Sequence, residues 1–303
     1  MQRLLVVVNR AAGTADDETL DAALSVLRSG ADVTVAATAD ADELRRAVSG
    51  RGDRRLVVVG GDGSVHAAVT ALDAAGALDA EDPVGIIPLG TGNDLGQALG
   101  LPLDPSESAA IVLTGTPRRL DLVRDDAGGV VVNAVHVGAG ARAAAEAARF
   151  KDRLGPAAYP LGAVIAGVNT AGWVLRVEVD GRVVEHEAAG WAADGDTRVL
   201  MAAVCNGPTI GGATPLAPDA IVDDGLVDVV VSTATGPLAR AAFAAALPSG
   251  GHVERDDVVV VRGREVAVTG GPVDLVADGE LEEDVKTRTW RVHRHAWSVV
   301  VQS

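Results

Sequence analysis

The sequence predicts an α/β chain: a Rossmann-like N-terminal domain built on a parallel sheet, followed by a mostly antiparallel β-sandwich domain. Three observations predict it. Residues 4–8, 56–59 and 84–87 are continuous apolar runs separated by stretches of helical spacing, the pattern of parallel strands buried on both faces. Beyond about residue 121 the runs alternate apolar with polar, and residues 174–179 and 182–186 flank Asp180-Gly181, a hairpin turn pair. At 303 residues the chain is also longer than one hydrophobic core usually serves.

In chain order, residues 4–8 form a strand that ends in the loop Asn9-Arg10-Ala11-Ala12-Gly13. Leu20, Leu24 and Leu27 share a helix face, residues 33–36 form a short strand, and 44–48 lie in a helix. The strand 56–59 runs straight into Gly60-Gly61-Asp62-Gly63-Ser64, and a helix with Val65, Val69 and Leu72 on one face follows. The strand 84–87 runs into Pro88-Leu89-Gly90-Thr91-Gly92-Asn93-Asp94. Ligands of parallel sheets sit beyond the carboxyl ends of the strands, so the three glycine-containing loops are expected to converge there. In the second half, residues 130–137 read as one strand entering Gly138-Ala139-Gly140, with helices over 141–153 and 157–168. Further strands are expected at 199–204, 226–231, 258–261, 266–268 and 297–301. The domains are 1–122 and 123–303, with the C-terminal segment packing back on the first.

Composition narrows the function. The net charge of −16, spread along the chain, and the 2% aromatic content offer neither basic groove nor stacking platform, which argues against nucleic acid as a partner. One cysteine, Cys205, fits a reducing, cytoplasmic setting. No run reaches the ~18–20 apolar residues of a spanning helix, so contact with a bilayer is expected to be transient and peripheral. The pattern leaves a homodimer open.

The glycine loops carry the chemistry. In Gly60-Gly61-Asp62-Gly63-Ser64, glycines let the backbone turn sharply and approach a ligand, and a helix start offers N–H groups to a phosphate. Asp62 there suits a magnesium accompanying a nucleotide, a proton acceptor, or simply a helix N-cap. Thr91 offers a hydroxyl, and Asn93 a helix cap or a ligand contact. No GxxxxGK[ST], HExxH or GxSxG motif occurs.

GGDGS followed by PLGTGNDLGQALGLP resembles the diacylglycerol kinase catalytic domain family, shared by bacterial lipid kinases and sphingosine kinases. The resemblance continues in order through RRLDLV, VVNAVHVGAGARAA, RLGPAAY, CNGPTIGGATPLAPDAIVDDGLVDVVV and VDLVADGE. It implies an ATP- and Mg2+-dependent kinase acting on the hydroxyl of diacylglycerol or a similar lipid. Asn9, Gly13, Thr38, Gly61, Asp62, Gly63, Ser64 and Thr91 would touch ATP, with Asp62 facing the catalytic magnesium. Glu280 would be the general base, and Asp121 would order the site or the acceptor headgroup. Asp224, with main-chain oxygens near Ile221 and Leu226, would hold a structural magnesium.

The sequence departs from the family pattern at Arg10, where Pro is usual, at Thr14, where Lys is frequent, and at Ala67, where Glu is common. Lys151 or Arg153 would supply a basic group to the cleft, and small residues over 138–145 and 157–168 would line a lipid pocket. Two other functions stay open, an NAD kinase and a non-catalytic nucleotide- or lipid-binding protein.

Overall fold

The structure, a computed structural model, describes residues 1–9, 17–141, 171–185 and 198–303. The chain forms two compact units, residues 1–122 with 294–303, and residues 123–293.

The first unit is an α/β layer structure. Strands β1 (Gln2–Asn9), β2 (Ala31–Thr38), β3 (Arg55–Gly60) and β4 (Gly85–Pro88) pair in parallel in the order β2-β1-β3-β4. Helices α1 (Asp17–Gly30), α2 (Ala41–Ser49), α3 (Asp62–Ala74), α4 (Asp94–Ala98) and α5 (Pro105–Thr114) connect them. Leu4, Val6, Val57, Val59 and Ile87 point to one face, where they pack with Leu24 and Leu27 of α1 and Ala109 and Val112 of α5. Leu5, Val7, Leu56, Val58 and Ile86 are buried on the other. This double burial explains the unbroken apolar runs. Two caps fix helix starts: Asp40 accepts from the Glu43 amide at 2.8 Å, and Asp104, followed by Pro105, accepts from Ser106 and Glu107. The helix α5 adds an element to those read from the sequence.

The second unit is an antiparallel β-sandwich. Its chain enters through β5 (Thr116–Asp125) and continues as β6 (Val130–Val131), β7 (Ala134–Gly138), β8 (Trp173–Val179), β9 (Arg182–Val183), β10 (Arg198–Val199), β11 (Met201–Cys205) and β12 (Val227–Ser232). Helix α6 (Pro237–Ala246), β13 (Val258–Gly263), β14 (Glu265–Ala277) and β15 (Glu280–Val301) complete it, and β15 runs on into the first unit. Along β14, one half pairs with β8 and the other with β7, so the sheet divides at the register shift between Thr269 and Val273. Val135, Val137, Val204 and Val229 from one side meet Val177, Val266, Val268 and Trp290 from the other. Ala134, Ala203, Cys205 and Val230 face the opposite way, under Leu216, Ala220 and Phe243.

Three sequence expectations need correction. Residues 130–137 are not one strand: β6 and β7 are separated at Val132-Asn133, whose amides turn to the Asp278 carboxylate rather than to a neighbouring strand. The runs 266–268 and 297–301 are the apolar parts of strands 13 and 22 residues long. The hairpin at Asp180-Gly181 forms, with Asp180 at φ +50, but its return strand stops at Val183. The helices expected over 141–153 and 157–168 lie outside the described residues, apart from Ala141.

Candidate active site

In the first unit, β1 ends at Asn9, β2 at Thr38, β3 at Gly60 and β4 at Pro88, all at the carboxyl edge of the sheet. Register pairs Asn9 with Thr38 and Gly60 with Pro88. The loops after β3 and β4 touch each other. The Leu89 amide donates to the Gly60 carbonyl at 3.0 Å, and a Cβ on Gly61 would stand 3.0 Å from the Gly90 Cα. Glycine is required at both positions because two main chains cross with no room for a side chain. At Gly63, by contrast, a Cβ would meet nothing within 4 Å.

Gly61 is the N-cap of α3 and carries no side chain, so the first amides of that helix have no side-chain cap. An anion is the natural partner for such a helix start. Asp62 is not the cap of its own helix. Its Oδ1 accepts from the Leu95 amide at 3.3 Å, at the start of α4. Burial, and then the charge of Asp94, push the Asp62 carboxyl above the usual carboxylate range, against the pull of amide hydrogen bonds from the 93–95 segment. Asp94 is itself 2% exposed. Two carboxylates in one partly buried place repel each other, and a divalent cation would relieve both.

The loop after β4 is locked by its own side chains. Asn93 adopts a left-handed conformation, φ 55 and ψ 39, and clasps Gly90 twice. Its Oδ1 accepts from the Gly90 amide at 3.0 Å, and its Nδ2 donates to the Gly90 carbonyl at 2.8 Å. Buried and so engaged, Asn93 shapes the loop and makes no side-chain cap to α4. Gln97 Nε2 donates to the Gly92 carbonyl at 2.7 Å. Thr91 is left exposed, on a recess of about 400 Å3 that Gln97 and Leu103 also line.

Asp121 is fully buried near the end of the first unit's chain. Its Oδ1 accepts from the His295 amide at 2.8 Å, and its carbonyl from Trp297 Nε1 at 3.1 Å. His295 has φ +51, so Asp121 secures a local distortion of β15.

In the second unit, Asp278 and Gly279 form the two-residue turn between β14 and β15, closed by the pair Ala277 and Glu280. Glu280 is exposed as the first residue of β15. Asp224 forms an ion pair with Arg262 and accepts from the Leu226 amide at 3.0 Å. Arg262 also reaches Asp228 at 3.2 Å. Ile221 is 47% exposed. Leu226 therefore presents its N–H to Asp224, and a cation there would have to displace the Arg262 guanidinium. Among the described residues, no three His, Cys, Asp or Glu side chains gather as a metal site. A magnesium would complete its shell with water and phosphate oxygens, as that ion commonly does.

Gly13, Arg10, Thr14, Lys151 and Arg153 lie outside the described residues, as do most of the small residues proposed for a lipid pocket. Asp94 joins the site through its burial beside Asp62, a property that residue spacing does not mark.

The family model described as the diacylglycerol kinase catalytic domain matches residues 3–124, and that of the YegS C-terminal NAD kinase beta sandwich-like domain matches 133–301. A protein of Stenotrophomonas maltophilia (strain K279a) named "Probable lipid kinase YegS-like" is 32% identical over 246 residues, 78% of this chain and 74% of that one. Its namesake from Xanthomonas campestris pv. campestris (strain 8004) is 31% identical over 284 residues, 88% and 86% of the two chains. The crystal structure of a diacylglycerol kinase from Bacillus anthracis str. Sterne superposes with a TM-score of 0.76 over 99% of this chain and 97% of its own; at 20% identity, that likeness speaks for the fold. With both halves matched in order, the chain belongs to the diacylglycerol kinase catalytic domain family and is a lipid kinase of the YegS-like kind.

Proposed function

We propose that this lipid kinase uses ATP and Mg2+ to phosphorylate the hydroxyl of diacylglycerol or a closely similar lipid. The observation that carries the proposal is the crossing of the two glycine loops at the sheet edge, with open space above Gly63 and an uncapped helix start behind it. Main-chain amides of Gly61 and Gly63 would hold phosphate oxygens, while the Ser64 amide donates to the Gly61 carbonyl at 2.9 Å and leaves its hydroxyl, with Asn9, Thr38 and Thr91, to contact the rest of the nucleotide. Asp62, supported by Asp94, would hold a magnesium, which when bound neutralises phosphate charge. Asp224, with the main chain of Ile221 and Leu226, would hold a second, structural one.

Glu280 would take the proton of the acceptor hydroxyl as that oxygen bonds to the γ-phosphorus and the bond to the bridging oxygen breaks, releasing ADP. Among the described residues no helix is long and apolar enough to cross a membrane. The test is incubation with γ-labelled ATP, magnesium and separate samples of diacylglycerol, a sphingoid base and NAD. Labelled phosphatidic acid is expected. No labelled lipid, or formation of NADP instead, would overturn the proposal.

A further inference from the structure

We propose that Asp278 is a positioning residue for phosphoryl transfer, orienting Glu280 by drawing three consecutive backbone amides onto its carboxylate. The inference rests on Glu280 being the base. Asp278 Oδ2 accepts from the Val132 amide at 2.6 Å, and Oδ1 from the amides of Asn133 at 3.0 Å and Ala134 at 2.9 Å. Its own amide donates to the Ala134 carbonyl at 3.0 Å. The turn is thus bonded to residues about 145 positions away in sequence, two residues before Glu280.

Segment 132–134 is fixed in turn from a third stretch of chain. Asn206 Nδ2 donates to the Val132 carbonyl, and Asn133 Nδ2 to the Thr209 carbonyl, both at 2.8 Å. The Asn206 and Gly207 amides donate to the Asn133 carbonyl at 2.8 and 3.1 Å. Glu280 is therefore carried on a turn whose orientation is set by three segments rather than by its hairpin alone.

Turn preference does not explain an aspartate here. Asp278 and Gly279 have φ +46 and +95, and Asn-Gly satisfies such a two-residue turn at least as well. What asparagine cannot do is accept on both oxygens. With Oδ1 on Asn133 and Ala134, its NH2 would face the Val132 N–H, donor against donor. The converging amides select a carboxylate; the turn does not.

The experiment compares D278N and D278G with E280Q in the full chain, measuring kcat, the KM for ATP and the thermal midpoint. Gly-Gly also suits the turn, so D278G removes both oxygens while keeping the backbone conformation accessible. The expected kcat order is wild type, then D278N, then D278G, with a fall of about 10- to 100-fold at the end of the series. KM for ATP should hold within about twofold, because neither substitution alters a residue of the glycine loops. A purely structural turn predicts instead that D278N matches wild type. If D278N and D278G keep wild-type kcat while E280Q is inactive, the inference is overturned and the base assignment survives. If E280Q is active, both fall.

Discussion

The nucleotide loops offer a pair of one-methyl substitutions with opposed expected effects on stability and a shared one on ATP affinity. In G90A the new Cβ would stand 3.0 Å from both the Gly61 nitrogen and Asn93 Oδ1, and nearer still to the Gly61 Cα. Ordinary contacts begin at 3.4 Å, and the nearest obstacle is the Gly61 backbone, so one loop must move by more than a few tenths of an ångström. Such overpacking costs about 1–3 kcal/mol, and it separates the two loops proposed to hold one ligand. In G63A the Cβ meets nothing within 4 Å, and Gly63 lies in the first turn of α3, where alanine is favoured by about 0.5–1 kcal/mol. The folded protein should therefore tolerate or prefer G63A. Yet that open space is where a phosphate would approach, so G63A should weaken ATP binding about tenfold or more. Urea unfolding and calorimetric titration with ATP separate the two effects. G90A should lose both stability and affinity, and G63A affinity alone. Wild-type ATP affinity in G63A would refute the claim that this loop cradles the phosphates.

Three further outcomes are expected. Because the Asp62 carboxyl is pushed up by burial and by Asp94, its ionisation opposes folding of the ligand-free protein. That penalty is absent below the ordinary carboxylate pKa and is complete once pH rises past the raised one. D62N should therefore hold or raise the thermal midpoint at pH 7, while kcat falls about 100-fold or more; a lowered midpoint would contradict the electrostatics. His136 is buried on β7, its Nδ1 lacks a hydrogen-bond partner, and burial lowers its pKa to about 4. Stability should fall by about 3 kcal/mol as pH drops from 6.5 to 4, since only the unfolded chain takes the proton in that window. H136L should flatten that slope in urea titrations at several pH values. Arg288, with an 8% exposed side chain, pairs with the equally buried Asp125 at 2.8 Å and with Glu282. R288M removes the cation beside Asp125, whose Oδ1 still accepts from the Ala127 and Gly129 amides, and should cost about 1–3 kcal/mol in urea unfolding, whereas a loss below about 1 kcal/mol would mean the pair behaves as a surface one.

The first unit was legible because its strands are buried on both faces, so composition alone marks Val6, Val58 and Ile86 as interior. The loops were legible because glycine after a buried strand has few other uses, and Gly61 against Gly90 is the contact those glycines allow. The long strands β14 and β15 were not. Residues 280–284 are all exposed, and Gly270-Gly271-Pro272 reads as a break although β14 passes through it. The helix α5 could have been found from Asp104-Pro105, a cap followed by proline at the first helical position. Asp94 could not, because nothing in its spacing distinguishes a buried carboxylate from an exposed one at a helix start.

Three aspartates that sequence reasoning associated with chemistry or with a turn have a second property in common. Asp62 accepts from the Leu95 amide, Asp121 from that of His295, and Asp278 from those of residues 132–134. In each case a carboxylate holds the backbone of a segment between 33 and 174 residues away. A buried carboxylate needs donors, and main-chain amides supply them without introducing a competing positive charge. The same arrangement fixes both the aspartate and the segment it holds, which suits a site that must present carboxylates at defined points. It also means that activity lost on replacing any of the three with alanine cannot be assigned to chemistry. Asparagine retains an acceptor, so the difference between the asparagine and alanine variants at each position separates the architectural role from the charge. At Asp62 the step from wild type to asparagine, which removes the charge, should dominate in activity; at Asp121, where the residue is wholly enclosed, the step from asparagine to alanine, which removes the acceptor, should dominate in stability.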